Sequence, residues 1–201
     1  MTSTDQRIQT LLRRAGTARS RELVAAGISR IQLSRRVAAG QLLRVARGLY
    51  TMPDYQGGEH SALVEVAKRA PGVVFCLLTV LRIHDLTTQA PFEVWIAIGN
   101  KAHPPQLDYS PLRTVRFSEA ALAAGVETQQ VDGAEVRVTS VAKTVADCFK
   151  FRNKIGLDVA LEALPEARRT RKASADELWR YARINRVTNV MRPYLEAEGM
   201  T

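Results

Sequence analysis

Apolar residues recur at two spacings along this chain, a helical 3-to-4 and a strand-like 2, and the switches between them delimit the predicted elements. Between residues 17 and 51 the pattern predicts a compact unit. Thr17 caps a helix over Ala18–Ala26, and Gly27 ends it in a left-handed conformation. Ser29 caps a second helix that runs to Gly40. Two short strand-like runs follow, Leu42–Val45 and Leu49–Met52, joined at Ala46-Arg47-Gly48 where glycine permits positive φ. Helix, turn, helix and hairpin in this order is the layout of a winged helix-turn-helix.

Beyond residue 59 the pattern changes. A helix is predicted over Glu59–Arg69 with Leu63, Val66 and Ala67 on one face. Gly72–Phe75 reads as a strand, Leu77–His84 as a buried helix, and Phe92–Ile98 as a buried strand rich in β-branched and aromatic residues. Leu112–Phe117 alternates as a strand, and Ser118 caps a short helix to Ala124. Val126–Val131 and Ala134–Thr139 flank Asp132-Gly133, a strong two-residue hairpin signal. From Ser140 on, the periodicity is helical: Val141–Phe151, Leu157–Ala167, Ala175–Asn185 and Asn189–Glu198. The fold class is therefore α+β. A winged helix over 1–55 precedes a mixed α/β domain over 59–201 that ends in a helical tail, with Asp54–Gly58 as the linker.

The polar face of the second helix brings in candidate chemistry. At 100° per residue, Leu33, Val37 and Gly40 share the side that packs on the first helix and Ile28. Gln32 and Arg35 point the other way, with Arg30 and Arg36 on the flanks and Ser34 between them. Glutamine and arginine are the side chains suited to bidentate contact with adenine and guanine edges in the major groove. Arg44 and Arg47 sit on the hairpin, in reach of phosphate or the minor groove. Thr17, Arg19 and Arg21 complete the candidate DNA-contacting set at the start of the first helix. The plainer alternative is an amphipathic helix with an arginine-rich solvated face.

Charge favours the first reading. Residues 1–55 hold ten arginines against Asp5, Glu22 and Asp54, a net of +7, while the whole chain is +9. Positive charge is thus concentrated in the first quarter, as suits a surface that displaces counterions from a phosphate backbone. Arginine outnumbers lysine 23 to 6. A GC-rich coding bias accounts for that choice, but not for the scarcity of acids before residue 55.

Composition narrows the alternatives. With 201 residues and 46% hydrophobic content the chain can bury a core and is no disordered tail. The first 14 residues lack the apolar run of a signal peptide, and the most apolar stretch, Gly72–Leu81, is too short to span a bilayer. Cys76 and Cys148 lie in separate apolar segments without zinc spacing and read as buried free thiols, consistent with a cytoplasmic protein. His60, His84 and His103 show no ligand spacing; His84 reads as a packing residue. No phosphate-binding glycine loop, metal site or catalytic set is indicated, and no cofactor is expected. Asp147 is one helical turn from Lys143, and a buried carboxylate paired with a nearby basic group is the favoured reading over a catalytic one. A second basic cluster, Lys150, Arg152 and Lys154 followed by Arg168, Arg169, Arg171 and Lys172, forms one patch if the intervening helices pack as a hairpin. It reads as a solvated surface, an accessory nucleic-acid site or a docking face for an acidic partner.

Three stretches carry a family resemblance: VARGLYTMPD, HDLTTQAPFEVWIAI and VTSVAKTVADCFKFRNKIGLDVALEAL. Together, over Leu11 to Leu164, they resemble the AbiEi family, the antitoxins and transcriptional regulators of type IV toxin–antitoxin systems. The resemblance implies a non-enzymatic winged-helix reader of double-stranded DNA joined to a C-terminal antitoxin domain. It further implies repression of the chain's own operon through repeated promoter sites, and a nucleotidyltransferase-like toxin as partner. A monomer or weak dimer, cooperative on DNA, fits repeated sites. Two other readings stay open: a solitary winged-helix regulator, and a C-terminal domain that enzymatically modifies a toxin or nucleic acid.

Overall fold

The computed structural model describes residues 4–15, 17–54, 60–89, 93–105 and 112–200. Most of the expected linker, and Phe92 at the start of one expected strand, lie outside them. Two compact units emerge, the first reaching from the N-terminus to Gly72 and also taking in Gln129–Val136.

The first unit opens with α1 (Thr4–Ala15), an element ahead of the predicted ones. Its buried residues, Ile8 and Leu12, are four apart and so lie on one face. Next come β1 (Thr17–Arg19), α2 (Ser20–Ala25), α3 (Arg30–Ala38), β2 (Leu43–Ala46), β3 (Leu49–Thr51) and α4 (Ser61–Arg69). The start of the first predicted helix is corrected here. Thr17, Ala18 and Arg19 are strand residues opposite Thr51, Tyr50 and Leu49, so β3 lies between β1 and β2 in a three-stranded sheet. Pairing with β3 satisfies the backbone groups of 17–19 and moves the helix start to Ser20. The cap position assigned from sequence to Thr17 falls on Arg19, whose backbone N–H is accepted by the Glu22 carboxylate at 2.6 Å.

Gly27 ends α2 as expected, with φ +84. The Gly27 N–H donates to the Val24 carbonyl and the Ile28 N–H to that of Leu23, which turns Ile28 into the core. That core joins Ile8, Leu12, Ala18, Leu23, Ile28, Leu33 and Leu42. The helix α4, placed by the sequence pattern in the second domain, falls in this first unit, and Lys68 on it donates to the Thr17 hydroxyl at 3.1 Å.

The second unit contains β4 (Val74–Phe75), α5 (Leu77–Ile83), β5 (Val94–Gly99), β6 (Leu112–Phe117), α6 (Glu119–Ala123), the first half of β7 (Val126–Val131) and the last half of β8 (Ala134–Thr139), the remainder of both strands belonging to the first unit. They are followed by α7 (Val141–Lys150), α8 (Arg152–Ile155), α9 (Leu157–Arg169), α10 (Ala175–Asn185) and α11 (Thr188–Ala197). The strands form a mixed sheet in the order β6-β5-β4-β8-β7. In it β4 runs antiparallel to β5 and parallel to β8, and β5 runs parallel to β6 from Val94↔Leu112 to Gly99↔Phe117. The β7–β8 turn is the predicted one: Asp132 and Gly133 have φ +46 and +73, the left-handed pair that a two-residue hairpin of this twist needs.

Helix α7 is the axis of this unit, with every residue from Val141 to Phe149 buried. Trp95, Phe117, Leu164, Leu178, Met191 and Leu195 belong to the same core. Several of its polar groups are paired internally, while among the described residues the Trp95 indole N–H, the second Asp147 oxygen and the Asn185 carbonyl oxygen have no hydrogen-bond partner. Lys143 forms an ion pair with Asp147, the Asn185 amide donates to the same carboxylate oxygen at 2.7 Å, and the Thr144 hydroxyl donates to the Ser140 carbonyl at 2.8 Å. Gly125, at φ +63, lies so close to Tyr181 that an added Cβ would stand 2.6 Å from its hydroxyl oxygen.

Candidate nucleic-acid interface

From Leu23 to Pro53 the chain contains no acidic residue and five arginines, 30, 35, 36, 44 and 47. The fold places these arginines on α3 and the β2–β3 hairpin. At the start of α3 the Ser29 Oγ accepts the Gln32 N–H at 3.3 Å, and the Gln32 side-chain oxygen accepts the Ser29 N–H at 2.8 Å. This reciprocal cap satisfies two of the four free amides of the helix end. Leu33 is fully buried and Val37 half-buried against the unit's core. That contact fixes the helix's rotation and leaves Ile31, Ser34, Arg35 and Ala38 exposed around the remaining side, with Arg30 exposed on the flank at the helix start.

The predicted α3 residues therefore divide. Ser34 and Arg35 share the exposed face, and Arg30 is exposed on its flank. Gln32 is half-buried, and its oxygen already serves the cap, so a bidentate contact to adenine would compete with the helix start. Arg36 is half-buried on the flank, donates to the Gln32 carbonyl at 3.4 Å, and lines a cleft of about 490 Å³ with Ile8, Gln41, Leu42, Met52 and Asp54. Ile31, which the sequence reading passed over between two polar neighbours, is 66% exposed. Its signal was available: an isoleucine about 40° around the helix from Arg35 and well away from Leu33.

The hairpin presents Arg44 and Arg47, both exposed. Arg44 stands opposite Tyr50, and the pairing shifts register between Arg44 and Ala46, a bulge that twists the strand beside its tip. Gly48 closes the turn at φ +73, and its carbonyl accepts the Ser20 backbone N–H at 2.8 Å. The hairpin is thus fastened to the first residue of α2.

Around this same start of α2, the predicted trio separates. Thr17 is buried, with its hydroxyl engaged by Lys68, and leaves the exposed set. Arg21 is exposed. Arg19 is half-buried, and burial followed by the nearby Arg21 charge holds its guanidinium below its usual value, partly offset by Glu22. Burial and then Arg19 likewise lower Lys68, against the opposing pull of Glu22. Lys68 and Arg69 join this positive neighbourhood from α4, where the apolar periodicity concealed them.

The second basic cluster is two groups, not one. Lys150 lies over the rings of Phe117 and Phe151, Lys154 lies over Phe151, and Arg152 donates to the Phe149 carbonyl at 2.9 Å. Arg168, Arg169, Arg171 and Lys172 follow the far end of α9, whose 13 residues span about 20 Å. A hairpin of helices brings the end of one beside the start of the next, so the two groups part along the length of α9. Arg169 is paired with Glu166 at 2.6 Å, and the Lys172 ammonium donates to the His84 carbonyl at 2.6 Å. Burial, then Lys172, holds the half-buried His84 imidazole below its usual value.

Among the described residues, no three His, Cys, Asp or Glu side chains converge as a metal site, and no helix is long and apolar enough to cross a membrane. Cys76 and Cys148 are free and buried.

Residues 6–53 match the family model described as a transcriptional regulator, AbiEi antitoxin. The match covers α1 through β3, the same stretch that carries the exposed arginine face. The crystal structure of the RV2827C protein from Mycobacterium tuberculosis is similar in fold, with a TM-score of 0.56 at 11% identity over 90% of this chain and 72% of that one. Curated proteins offer no match.

Proposed function

We propose that the chain is a sequence-specific reader of duplex DNA that acts as an AbiEi-type antitoxin and represses its own operon. The observation that carries this is the acid-free run from Leu23 to Pro53, in which Arg30 and Arg35 stand exposed on α3 and Arg44 and Arg47 stand exposed on the adjoining hairpin. In this reading the first unit is a winged helix. The exposed side of α3 enters the major groove, where Arg35 reads a guanine edge, while Arg44 and Arg47 hold phosphate and fix register. The similarity of residues 6–53 to AbiEi regulators supports the assignment. Two copies on repeated promoter sites would bind cooperatively, and the second unit would oppose a nucleotidyltransferase-like toxin.

The second unit acts here by binding, not by catalysis. Among the described residues, Asp147 is the carboxylate of its core with a basic neighbour, and it is sealed from any substrate. The test is a selection of bound duplexes from a random-sequence pool, followed by co-expression with a neighbouring nucleotidyltransferase reading frame. Recovery of a repeated motif and relief of toxicity are the expected results. A pool that stays random overturns the DNA assignment, and unrelieved toxicity overturns the antitoxin assignment.

A further inference from the structure

Ile31 is the most exposed large apolar side chain among the described residues, at 66% against 44% for Val24 and 46% for Leu43. The core of the first unit makes no use of it; Ile28 and Leu33, three residues before and two after, supply that packing and are fully buried. On the helix it lies about 40° from Arg35 and about 60° from Ser34, in the middle of the exposed face. A β-branched side chain has one strongly preferred χ1 rotamer in a helix, so its methyl groups are held in place before anything binds. In the major groove the only apolar group that base edges display is the thymine C5-methyl.

We infer that Ile31 is a specificity-determining residue that packs against a thymine methyl group, at a base pair neighbouring the one read by Arg35. The inference rests on the DNA-reading assignment above. It adds a chemical distinction that hydrogen-bonding side chains on α3 do not supply, because an arginine or a serine is indifferent to the methyl that separates thymine from uracil. The guanidinium groups of Arg30 and Arg35 draw the helix to the duplex. The isoleucine then favours sites where a methyl meets it and leaves apolar surface in water elsewhere.

The experiment uses the full chain and a duplex selected by it from a random pool, with each thymine replaced in turn by deoxyuridine. Loss of one buried methyl group is expected to weaken wild-type binding about fourfold at one position. Ile31→Ala, a surface change, should bind more weakly to the parent duplex and show less than about a twofold further loss at that position. Equal deoxyuridine penalties for wild type and Ile31→Ala overturn the inference, as does a wild type indifferent to every replacement. Sedimentation distinguishes the competing use of this side chain: a self-association that Ile31→Ala abolishes, together with deoxyuridine indifference, assigns it to a second copy of the chain and overturns the methyl contact. Failure to select any duplex removes the DNA assignment itself, and the inference with it.

Discussion

Lys143 and Asp147 meet one turn apart on α7 with neither side chain exposed, and Asn185 reaches the same carboxylate from α10. Burial pushes the Asp147 carboxyl up, while Lys143 and Asn185 pull it down. The pair is therefore held within α7 by mutual need more than by net attraction, and Asn185 ties α10 to it. Asp147→Ala strands a buried ammonium and should cost about 3–5 kcal/mol in urea unfolding, whereas the double change Lys143→Met with Asp147→Leu should cost markedly less. Equal losses would show that the charges stabilise the fold in their own right.

Arg35→Ala should cost about 1–3 kcal/mol on the selected duplex and blur preference at one base pair. Arg44→Ala and Arg47→Ala should weaken binding evenly across sequences. With about five or six phosphate contacts, log affinity of the wild type falls against log salt with a slope of about −5. Titrations of the three variants against the selected and a scrambled duplex check all of this. An intact preference in Arg35→Ala would place base reading elsewhere.

Gln32 separates capping from reading. Glutamate can serve in the same reciprocal cap, so Gln32→Glu should leave the melting temperature within about 2 °C of wild type while its charge weakens duplex binding. Ser29→Ala should instead lower stability by about 1 kcal/mol. A clear drop in melting temperature for Gln32→Glu would show that the cap depends on the amide.

What was legible in the sequence were the signals carried by a few adjacent residues. The Ser29 cap, the Asp132-Gly133 turn and the bounds of α10 depend on local hydrogen bonds or on periodicity within one segment. Other features depend on distant partners. β1 is a strand only because β3, some thirty residues on, lies beside it, and the same three residues read in isolation as a helix start. β4 was legible as a strand over Gly72–Phe75, but its two-residue extent and its place at the centre of the sheet depend on β5 and β8. α1 hid Ile8 and Leu12 among arginines and glutamines. On the candidate site, charge pointed to Arg30, Ser34 and Arg35. Polarity alone misplaced Thr17, Gln32 and Arg36, because burial and backbone demands claimed their side chains first.

Gly125 combines a left-handed backbone with the close approach of Tyr181. Gly125→Ala should therefore cost about 2–4 kcal/mol, from backbone strain plus overpacking. Adding Tyr181→Phe removes the nearest atom and should recover part of the loss in the same denaturation measurement. No recovery would assign the cost to the backbone and to the ring carbons, which stay 2.8 and 2.9 Å from the added Cβ.

Ser174 and Glu177 form a second reciprocal cap, at the start of α10, with the Ser174 hydroxyl donating to the Glu177 carboxylate at 2.7 Å and its backbone N–H at 2.9 Å. These hydrogen bonds hold the carboxyl below its usual value. A lowered folded-state pKa stabilises above the unfolded value and ceases to do so as pH falls through the folded one. Ser174→Ala should cost about 1 kcal/mol near neutrality, with the difference from wild type narrowing below about pH 4. A gap constant from pH 7 to pH 3 would show that the carboxylate contributes nothing.

Thr17 and Thr51 face each other across β1 and β3, so the stretch holding α2, α3 and the hairpin begins and finishes at one place. Such a stretch is closed by one strand pair at its ends, and its Leu23, Ile28, Leu33 and Leu42 share one core with Ile8 and Leu12 of α1. Its two ends are joined to each other whatever exposed side chains it displays between them. Under the DNA-reading proposal, target preference changes through the few solvent-facing positions of α3, while the buried positions that pack on α1 hold the frame constant.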